Sequence, residues 1–226
     1  DVYKRQIRHL LTHTSGLLPG IRRGYDWRGQ AAGIALACSE PSTGHAGYDY
    51  RYSDINFILL GEIVRRISGK PLSVFAQETI FEPLQMKETF FLPEEPYIHR
   101  IAPTTLIDDG SVLRGVVHDP TAGAMDGEAG HAGLFTSAHD LARFARMIMQ
   151  DGKMEGVQVL RSETLKIMSS VQTPEAAPYR RGLGFDIDSP YAGPRGTLFP
   201  RGSFGHSGWT GTSLWIDPFS ETTVIF

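Results

Sequence analysis

The chain has 226 residues, of which 41% are hydrophobic and 21% charged, and its formal net charge is −3. This composition is typical of a globular protein and argues against disorder. The Lys and Arg residues are scattered, which gives no basis for binding nucleic acid or anionic lipid. No apolar run is long enough for a membrane span. A single cysteine, Cys38, excludes an internal disulfide and a cysteine-based zinc site.

Both ends of the chain look irregular. The opening "DVYKRQ" does not begin with Met and has no pattern that continues into the next residues, so we interpret residues 1–6 as a non-native leader. The final "ETTVIF" stops inside a run typical of a strand. We therefore expect residues 7–226 to form a single domain truncated at both termini, and we leave the cellular compartment open.

Helical spacing dominates the first part of the chain. A short helix is predicted over residues 7–11 and a longer one over residues 26–40. Apolar residues spaced three and four apart predict a helix over residues 54–68, which Gly69 closes in the left-handed conformation. A further helix is predicted over residues 72–80.

The second part is more varied. Residues 90–133 are rich in loops, with a possible strand at residues 112–117. Ser137 precedes a strongly amphipathic helix, and Asp140 three residues later is spaced as in a capping box. Ser162 is predicted to cap another helix, which runs through Met168.

The pattern of the final segments changes to that of strands. Alternating or continuous apolar runs separated by turns predict antiparallel strands in "GLGFDI", "FGHSG", "TSLWIDP" and "TTVIF". With helices before them, these strands indicate an α+β fold, in which an antiparallel sheet is flanked by helices.

Four segments together resemble one protein family. They are "LLTHTSGL" (residues 10–17), "YSD" (residues 52–54), "GHAGLFTSAHDLARFARM" (residues 130–147) and "GHSGWTGTSLWIDP" (residues 205–218). In this order they resemble the serine β-lactamase and penicillin-binding-protein superfamily, and above all the esterases and D-alanyl-D-alanine carboxypeptidases related to class C β-lactamases. The resemblance implies one β-lactamase-like domain over residues 7–226.

Members of that family acylate a serine in a Ser-x-x-Lys motif, and a tyrosine from a Tyr-x-Asn motif moves its proton. Tyr52, followed by Ser53 and Asp54, resembles the second motif. The resemblance implies that Tyr52 is the general base in acylation and the general acid toward the leaving group, with a pKa lowered by neighbouring cations. The alternative is a tyrosine packed in the core, with Ser53 or Asp54 as a helix cap.

The family's Lys-Thr-Gly strand is matched by His206, Ser207 and Gly208. The resemblance implies that His206 carries partial positive charge beside the substrate or Tyr52, although an imidazole loses charge near neutral pH. Ser207 would lie on the oxyanion side, and Gly208 would let the strand approach the substrate. The amide of Trp209 would donate to the oxyanion. The alternative is an ordinary strand with a half-buried histidine.

The sequence departs from the family in two respects. No serine is followed three residues later by lysine, so we expect the nucleophile and its lysine upstream and this chain alone to be inactive. Asp54 stands where the family has Asn. It could hold that lysine, but an ionised carboxylate has no N–H to donate to a substrate carbonyl. We therefore rank β-lactams below esters and D-amino-acyl peptides as substrates.

Other sites are disfavoured by their spacing. Ser15 and His13 in "HTSG" suggest a nucleophile and base, but side chains two apart in a turn seldom point at each other, and in the family this stretch is structural. His9 and His13 lack the Glu of a His-Glu-x-x-His metal motif. His131 and His139 lie on opposite sides of a helix start. No metal site and no cofactor are predicted.

Two functions remain open. The first is a serine hydrolase acting through an acyl-enzyme on a small-molecule ester or a peptidoglycan-type peptide, with no nucleic-acid partner. The second is a non-catalytic ligand-binding or sensor domain that keeps the cleft and has lost the nucleophile. The residue at the serine position of an upstream Ser-x-x-Lys motif distinguishes them.

Overall fold

The computed structural model describes residues 5–22 and 24–226. The α-helices of these residues are α1 (Ile7–Leu11), α2 (Gln30–Ser39), α3 (Asp54–Ser68), α4 (Leu72–Ala76), α5 (Glu95–Ile98), α6 (Pro120–Ala124), α7 (Ala138–Met149) and α8 (Ser162–Ser169). A π-helical turn, Gln77–Phe81, continues α4, and a 3₁₀ helix spans Pro190–Arg195. Residues 1–4 of the interpreted leader lie outside the described residues, so that interpretation stays a prediction.

The main sheet has five antiparallel strands. Its strands are β7 (Arg180–Arg181), β8 (Asp186–Asp188), β9 (Phe204–Ser207), β10 (Ser213–Asp217) and β11 (Thr222–Ile225), and neighbours in sequence are neighbours in the sheet. Ser207 pairs with Ser213, and Asp217 pairs with Thr222. The α+β fold and the antiparallel strands at the end of the chain are thus confirmed.

Three strand pairs lie outside the main sheet. They are β1 (Phe90–Phe91) with β4 (Leu134–Phe135), β2 (Thr105–Leu106) with β3 (Val112–Leu113), and β5 (Lys153–Met154) with β6 (Val157–Gln158). The strand predicted over residues 112–117 is therefore limited to its first two residues.

Helix α3 has the predicted bounds, and Gly69 after it adopts a left-handed backbone with φ of 72°. Helix α2 begins later than predicted, because Gly29 has φ of 95° and the residues before it are not helical. The helix predicted over residues 72–80 changes to the π-helical turn after Ala76.

Two predicted caps have different outcomes. The Ser137 hydroxyl accepts the Asp140 N–H at 3.2 Å, as predicted. The Asp140 carboxylate does not complete a capping box, because it accepts from the Glu88 N–H and the Thr89 hydroxyl instead. The cap predicted at Ser162 is wrong, since Ser162 is already the first helical residue of α8.

The core consists of two apolar clusters. The sheet cluster packs helices against the main sheet and includes Leu84, Met147, Leu165, Ile187, Phe204 and Ile216. The helix cluster joins α1, α2, α3 and α6 and includes Leu10, Leu17, Ala37, Ile55, Ile58 and Ala122. Among the described residues, no helix combines the length and apolar character needed to cross a bilayer.

Candidate active site

The loop that precedes α3 fixes the start of this helix. Ser53 has an extended backbone, and its hydroxyl donates to the Leu18 carbonyl rather than accepting a helix N–H. The backbone N–H of Asp54 donates to the Pro19 carbonyl at 2.7 Å. Ser53 is the N-cap residue of α3, as the alternative predicted, but its hydroxyl bonds to another segment of the chain and does not cap the helix.

His13 lies against the ring of Tyr52, with ring centroids 4.2 Å apart and planes inclined by 26°. His13 Nδ1 accepts the Ser53 N–H at 3.1 Å and the Asn56 side-chain amide at 3.2 Å. The proton of the neutral ring is therefore on Nε2. Burial, followed by the charge of Arg181, lowers the pKa of His13 to about 2. At neutral pH this imidazole is uncharged.

Ser15 belongs to the same buried network. Its hydroxyl donates to Asn56 Oδ1 at 2.5 Å and accepts the Leu17 N–H at 3.1 Å. The side chain is 1% exposed. These contacts agree with a structural role for Ser15 and leave its hydroxyl no access to a substrate.

Strand β9 brings His206 to Tyr52. The two ring centroids are 6.1 Å apart and the planes are inclined by 43°. His206 Nδ1–H donates to the Ser207 carbonyl at 2.8 Å, so Nε2 of the neutral ring is free to accept. The structure thus brings the two motifs, distant in sequence, to one place.

The charge expected on His206 is not present at neutral pH. Burial, followed by the nearby Arg181 guanidinium, lowers the pKa of His206 below its ordinary value of 6.5. The ring is therefore neutral, and the prediction of partial positive charge there is corrected. The sequence could not show this, because the cause is a burial created by tertiary packing.

Strand β9 ends in an exposed turn that carries Gly208 and Trp209. The Gly208 N–H donates to the Thr212 carbonyl at 2.6 Å and closes the turn. The Trp209 side chain is 91% exposed. Within residues 5–22 and 24–226, no protein group accepts the backbone N–H of Trp209.

The pKa of Tyr52 shifts in the direction opposite to the one predicted. Burial and then the carboxylate of Asp54 raise it, and the Arg181 guanidinium opposes them. Desolvation disfavours the phenolate, and the nearby anion disfavours it further. Tyr52 is therefore a protonated phenol at neutral pH.

Asp54 lies beside a histidine–aspartate pair. His131 Nε2 is 2.9 Å from Asp119 Oδ1, and the ligand atoms of all three side chains lie within 4.8 Å of one another. Burial raises the pKa of Asp54, opposed by His131 and assisted by Asp119. Asp119 also accepts the Ala122 N–H as the cap of α6, and Asp54 is the first residue of α3. Both carboxylates thus lie at helix N-termini, where the helix dipole opposes the effect of burial on their negative charge.

Two further residues of the site were not found from the sequence. The Arg181 guanidinium carbon is 5.8 Å from the Tyr52 ring centroid, and Tyr191 lies with its ring centroid 5.0 Å from that of Tyr52. A signal for Arg181 existed, because one of two adjacent arginines in a strand must face inward. Tyr191 lies in a 3₁₀ helix within a loop, and its sequence gives no such signal.

Comparison with known structures defines the class of protein. The β-lactamase Mb2281c of Mycobacterium bovis superposes with a TM-score of 0.65 at 24% identity, covering 98% of this chain and 65% of that structure. EstCE1, described as a hydrolase with promiscuous acyltransferase activity, superposes with a TM-score of 0.72 at 20% identity, covering 97% and 65%. The fold is that of β-lactamases and penicillin-binding proteins.

Sequence comparison gives the family. The family model described as Beta-lactamase matches residues 4–226, so this chain belongs to that family. A relative from Escherichia coli K12, which has the provisional name D-alanyl-D-alanine carboxypeptidase, is 34% identical over 196 residues. The N-acetylmuramyl-L-alanine amidase of Bacillus subtilis strain 168 is 31% identical over 190 residues.

The aligned regions cover 79% and 76% of this chain, but only 44% and 42% of these two relatives. The chain therefore spans less than half the length of the curated relatives that it matches. Both of these relatives have the names of hydrolases.

Proposed function

We propose that the protein to which this chain belongs is a serine hydrolase that works through an acyl-enzyme. The observation that carries the proposal is the proximity of Tyr52 and His206, whose ring centroids are 6.1 Å apart although the two residues are far apart in the sequence. In this proposal the nucleophilic serine and its lysine lie outside the printed sequence, which contains no Ser-x-x-Lys motif.

Tyr52 is the proton carrier in this proposal. Because its pKa is raised, Tyr52 is a phenol at neutral pH. It takes the serine proton only as it passes its own proton to a neighbouring base, which in this proposal is the lysine of the Ser-x-x-Lys motif. The serine oxygen then bonds to the substrate carbonyl carbon, and the carbonyl oxygen becomes an anion. When the carbonyl re-forms and the bond to the leaving group breaks, Tyr52 returns a proton to that group.

The second motif stabilises the oxyanion and orients the substrate. The Trp209 N–H is without a protein acceptor among the described residues, as an oxyanion donor requires. Neutral His206 offers Nε2 as an acceptor for a substrate N–H or O–H or for the Tyr52 hydroxyl. Ser207 is the last residue of β9, and Gly208 follows it in the turn.

Esters and D-amino-acyl peptides are the proposed substrate class, ahead of β-lactams. Asp54 supports this order, because a carboxylate in the Asn position of the family motif offers acceptors where an amide would offer an N–H. We propose that Asp54 lies next to the lysine of the Ser-x-x-Lys motif. The two relatives are named for a carboxypeptidase and an amidase, which favours a peptidoglycan-type peptide.

The test uses the full-length protein with a nitrophenyl ester, a D-alanyl-D-alanine peptide and fluorescent penicillin. Tyr52→Phe removes the proton carrier and should lower kcat about 10²- to 10⁴-fold. Tyr48→Phe is the matched control, because the Tyr48 side chain is 75% exposed, and it should leave kcat unchanged. Near-normal turnover by Tyr52→Phe would contradict the proposal. Reversible penicillin binding, without covalent labelling and without turnover of the ester or the peptide, would support a ligand-binding domain.

A further inference from the structure

Arg181 is a fully buried cation with incomplete partners. It lies in β7, and its side chain is 0% exposed. Nη1 is 3.4 Å from Asp186 Oδ2 without forming a hydrogen bond, and Nη2 donates to the Gly184 carbonyl at 3.3 Å. Nε and Nη1 have no hydrogen-bond acceptor among the described residues. Burying a guanidinium with so few partners costs stability, so stability does not explain why an arginine is found at this position.

The position of Arg181 supplies that reason. Its guanidinium lies 5.8 Å from the centre of the Tyr52 ring. His13, Tyr191 and His206 also face this ring, at centroid distances of 4.2, 5.0 and 6.1 Å. Arg181 therefore acts on the phenol through the aromatic ring and the surrounding low-polarity medium.

Arg181 is the permanent positive charge in this surrounding. Both imidazoles, His13 and His206, are neutral at neutral pH. The ionisable groups that act on the pKa of the Tyr52 phenol are Asp54, Arg181, Tyr191 and Asp186, and of these four only Arg181 lowers it. The stabilisation of negative charge on the Tyr52 oxygen therefore depends on Arg181.

We propose that Arg181 is a positioning residue that supplies the positive charge needed when the Tyr52 hydroxyl gives up its proton. Its role in turnover rests on the proposed function of Tyr52, whereas its electrostatic action on the phenol does not. A titration of Tyr52 measures the electrostatic action, and kinetics measure the role in turnover.

The direct test is the titration of Tyr52 in the full-length protein. Tyrosine is replaced biosynthetically by 3-fluorotyrosine, and the ¹⁹F resonance that disappears in Tyr52→Phe is followed with pH. In Arg181→Met/Asp186→Asn the buried ion pair is removed as a unit, and the introduced amide keeps an oxygen that accepts from the Ser189 hydroxyl. The midpoint should rise by about one pH unit.

Two more variants fix the sign of the effect. Arg181→Lys keeps the charge, so its midpoint should lie closer to the wild-type value than that of Arg181→Met/Asp186→Asn. Asp186→Asn removes an anion and should lower the midpoint. Arg180→Met is the matched control, because Arg180 donates to backbone carbonyls of residues 175 and 177, and it should change nothing. A midpoint that is the same in all these variants would overturn the proposal.

The kinetic test separates an electrostatic role from a purely structural one. In Arg181→Met/Asp186→Asn, kcat for the nitrophenyl ester at neutral pH should fall about tenfold, KM should change little, and Arg181→Lys should recover most of the loss. An equal loss in Arg181→Lys, with an unmoved pH profile, would overturn the proposal. A shifted Tyr52 midpoint with unchanged kcat would leave the electrostatic action intact and contradict the proposed function of Tyr52.

Discussion

The two motifs that meet at the site are held in different ways. Residues 52–54 are fixed by hydrogen bonds from Ser53 and Asp54 to the loop between α1 and α2, and the His13 ring packs against Tyr52. Residues 206–209 are held by the β-ladder at one end and emerge into solvent at the other. The first motif therefore fixes the position of Tyr52, which we propose as the proton carrier, while the second is open to solvent, where we propose that a substrate binds. Substitutions in the first should therefore cost stability, and those in the second should mainly affect substrates.

The largest effect is expected at Asn56. Its side chain is 0% exposed, accepts from Ser15 and donates to His13, so Asn56→Ala removes both hydrogen bonds and leaves the buried Ser15 hydroxyl without an acceptor. The free energy of unfolding, measured by urea denaturation, should fall by about 3 kcal/mol. Ser207→Ala in the open motif should change it by less than about 0.5 kcal/mol. Equal losses in the two variants would break the comparison.

The next effect is a dependence of stability on pH that originates from His13. The unfolded chain protonates this histidine below about pH 6.5, and the folded protein does so only near pH 2. Protonation thus stabilises the unfolded state as pH falls. From this residue the free energy of unfolding should decrease by up to about 1.4 kcal/mol per pH unit below 6.5.

His13→Asn tests this dependence with little disturbance. An Asn oxygen replaces the accepting Nδ1, and Asn tolerates the left-handed backbone that His13 adopts, with φ of 57°. Urea denaturation between pH 7 and pH 4 should show a shallower slope in this variant. His99→Asn, at an exposed position, is the control and should keep the wild-type slope. A wild-type slope in His13→Asn as well would show that His13 is protonated in the folded state and would contradict the prediction.

A smaller effect is expected at Gly208 in the open motif. A Cβ there would lie 2.3 Å from Thr212 Oγ1, a side-chain atom of the same turn. Gly208→Ala should lower the free energy of unfolding by about 1–2 kcal/mol, and adding Thr212→Ala should restore most of it. Failure of the second substitution to rescue would show that the backbone, rather than this contact, requires glycine.

The smallest effect on stability is expected for Trp209→Ala. The side chain is 91% exposed, so the change in the free energy of unfolding should stay within the range of ordinary surface substitutions, below about 0.5 kcal/mol. The KM of the full-length protein for its substrate should rise instead. A marked loss of stability would show that Trp209 packs against another part of the protein and would remove it from the substrate side.

Local features of the fold were predictable from the sequence, and distant contacts were not. The bounds of α3 follow from apolar spacing and Gly69, and the terminal strands follow from alternation, since both depend on neighbouring residues. The resemblance of two motifs placed Tyr52 and His206 at one site. The direction of the Tyr52 pKa shift and the charge of His206 were predicted wrongly, because burial, the largest cause of both pKa shifts, arises only from packing.

The resemblance also left parts of the site out. His13 was considered only as a base for Ser15 and as a metal ligand beside His9, although it packs against Tyr52. Nothing local to Asp54 indicated that Asp119 and His131 would lie beside it, because the three residues come from separate segments. Such groupings depend on how helices dock, which short motifs do not encode.

Tyr52 and His206 are attached to different apolar clusters, so the two rings can meet only when both clusters are folded and packed together. Tyr52 precedes Ile55 of the helix cluster, and His206 follows Phe204 of the sheet cluster. A partly unfolded form could keep either cluster intact and still hold no paired rings. In mild denaturant the full-length protein should therefore lose turnover before it loses its helical circular-dichroism signal. Activity would then depend on the packing of the two clusters against each other, and not only on whether each cluster stays folded.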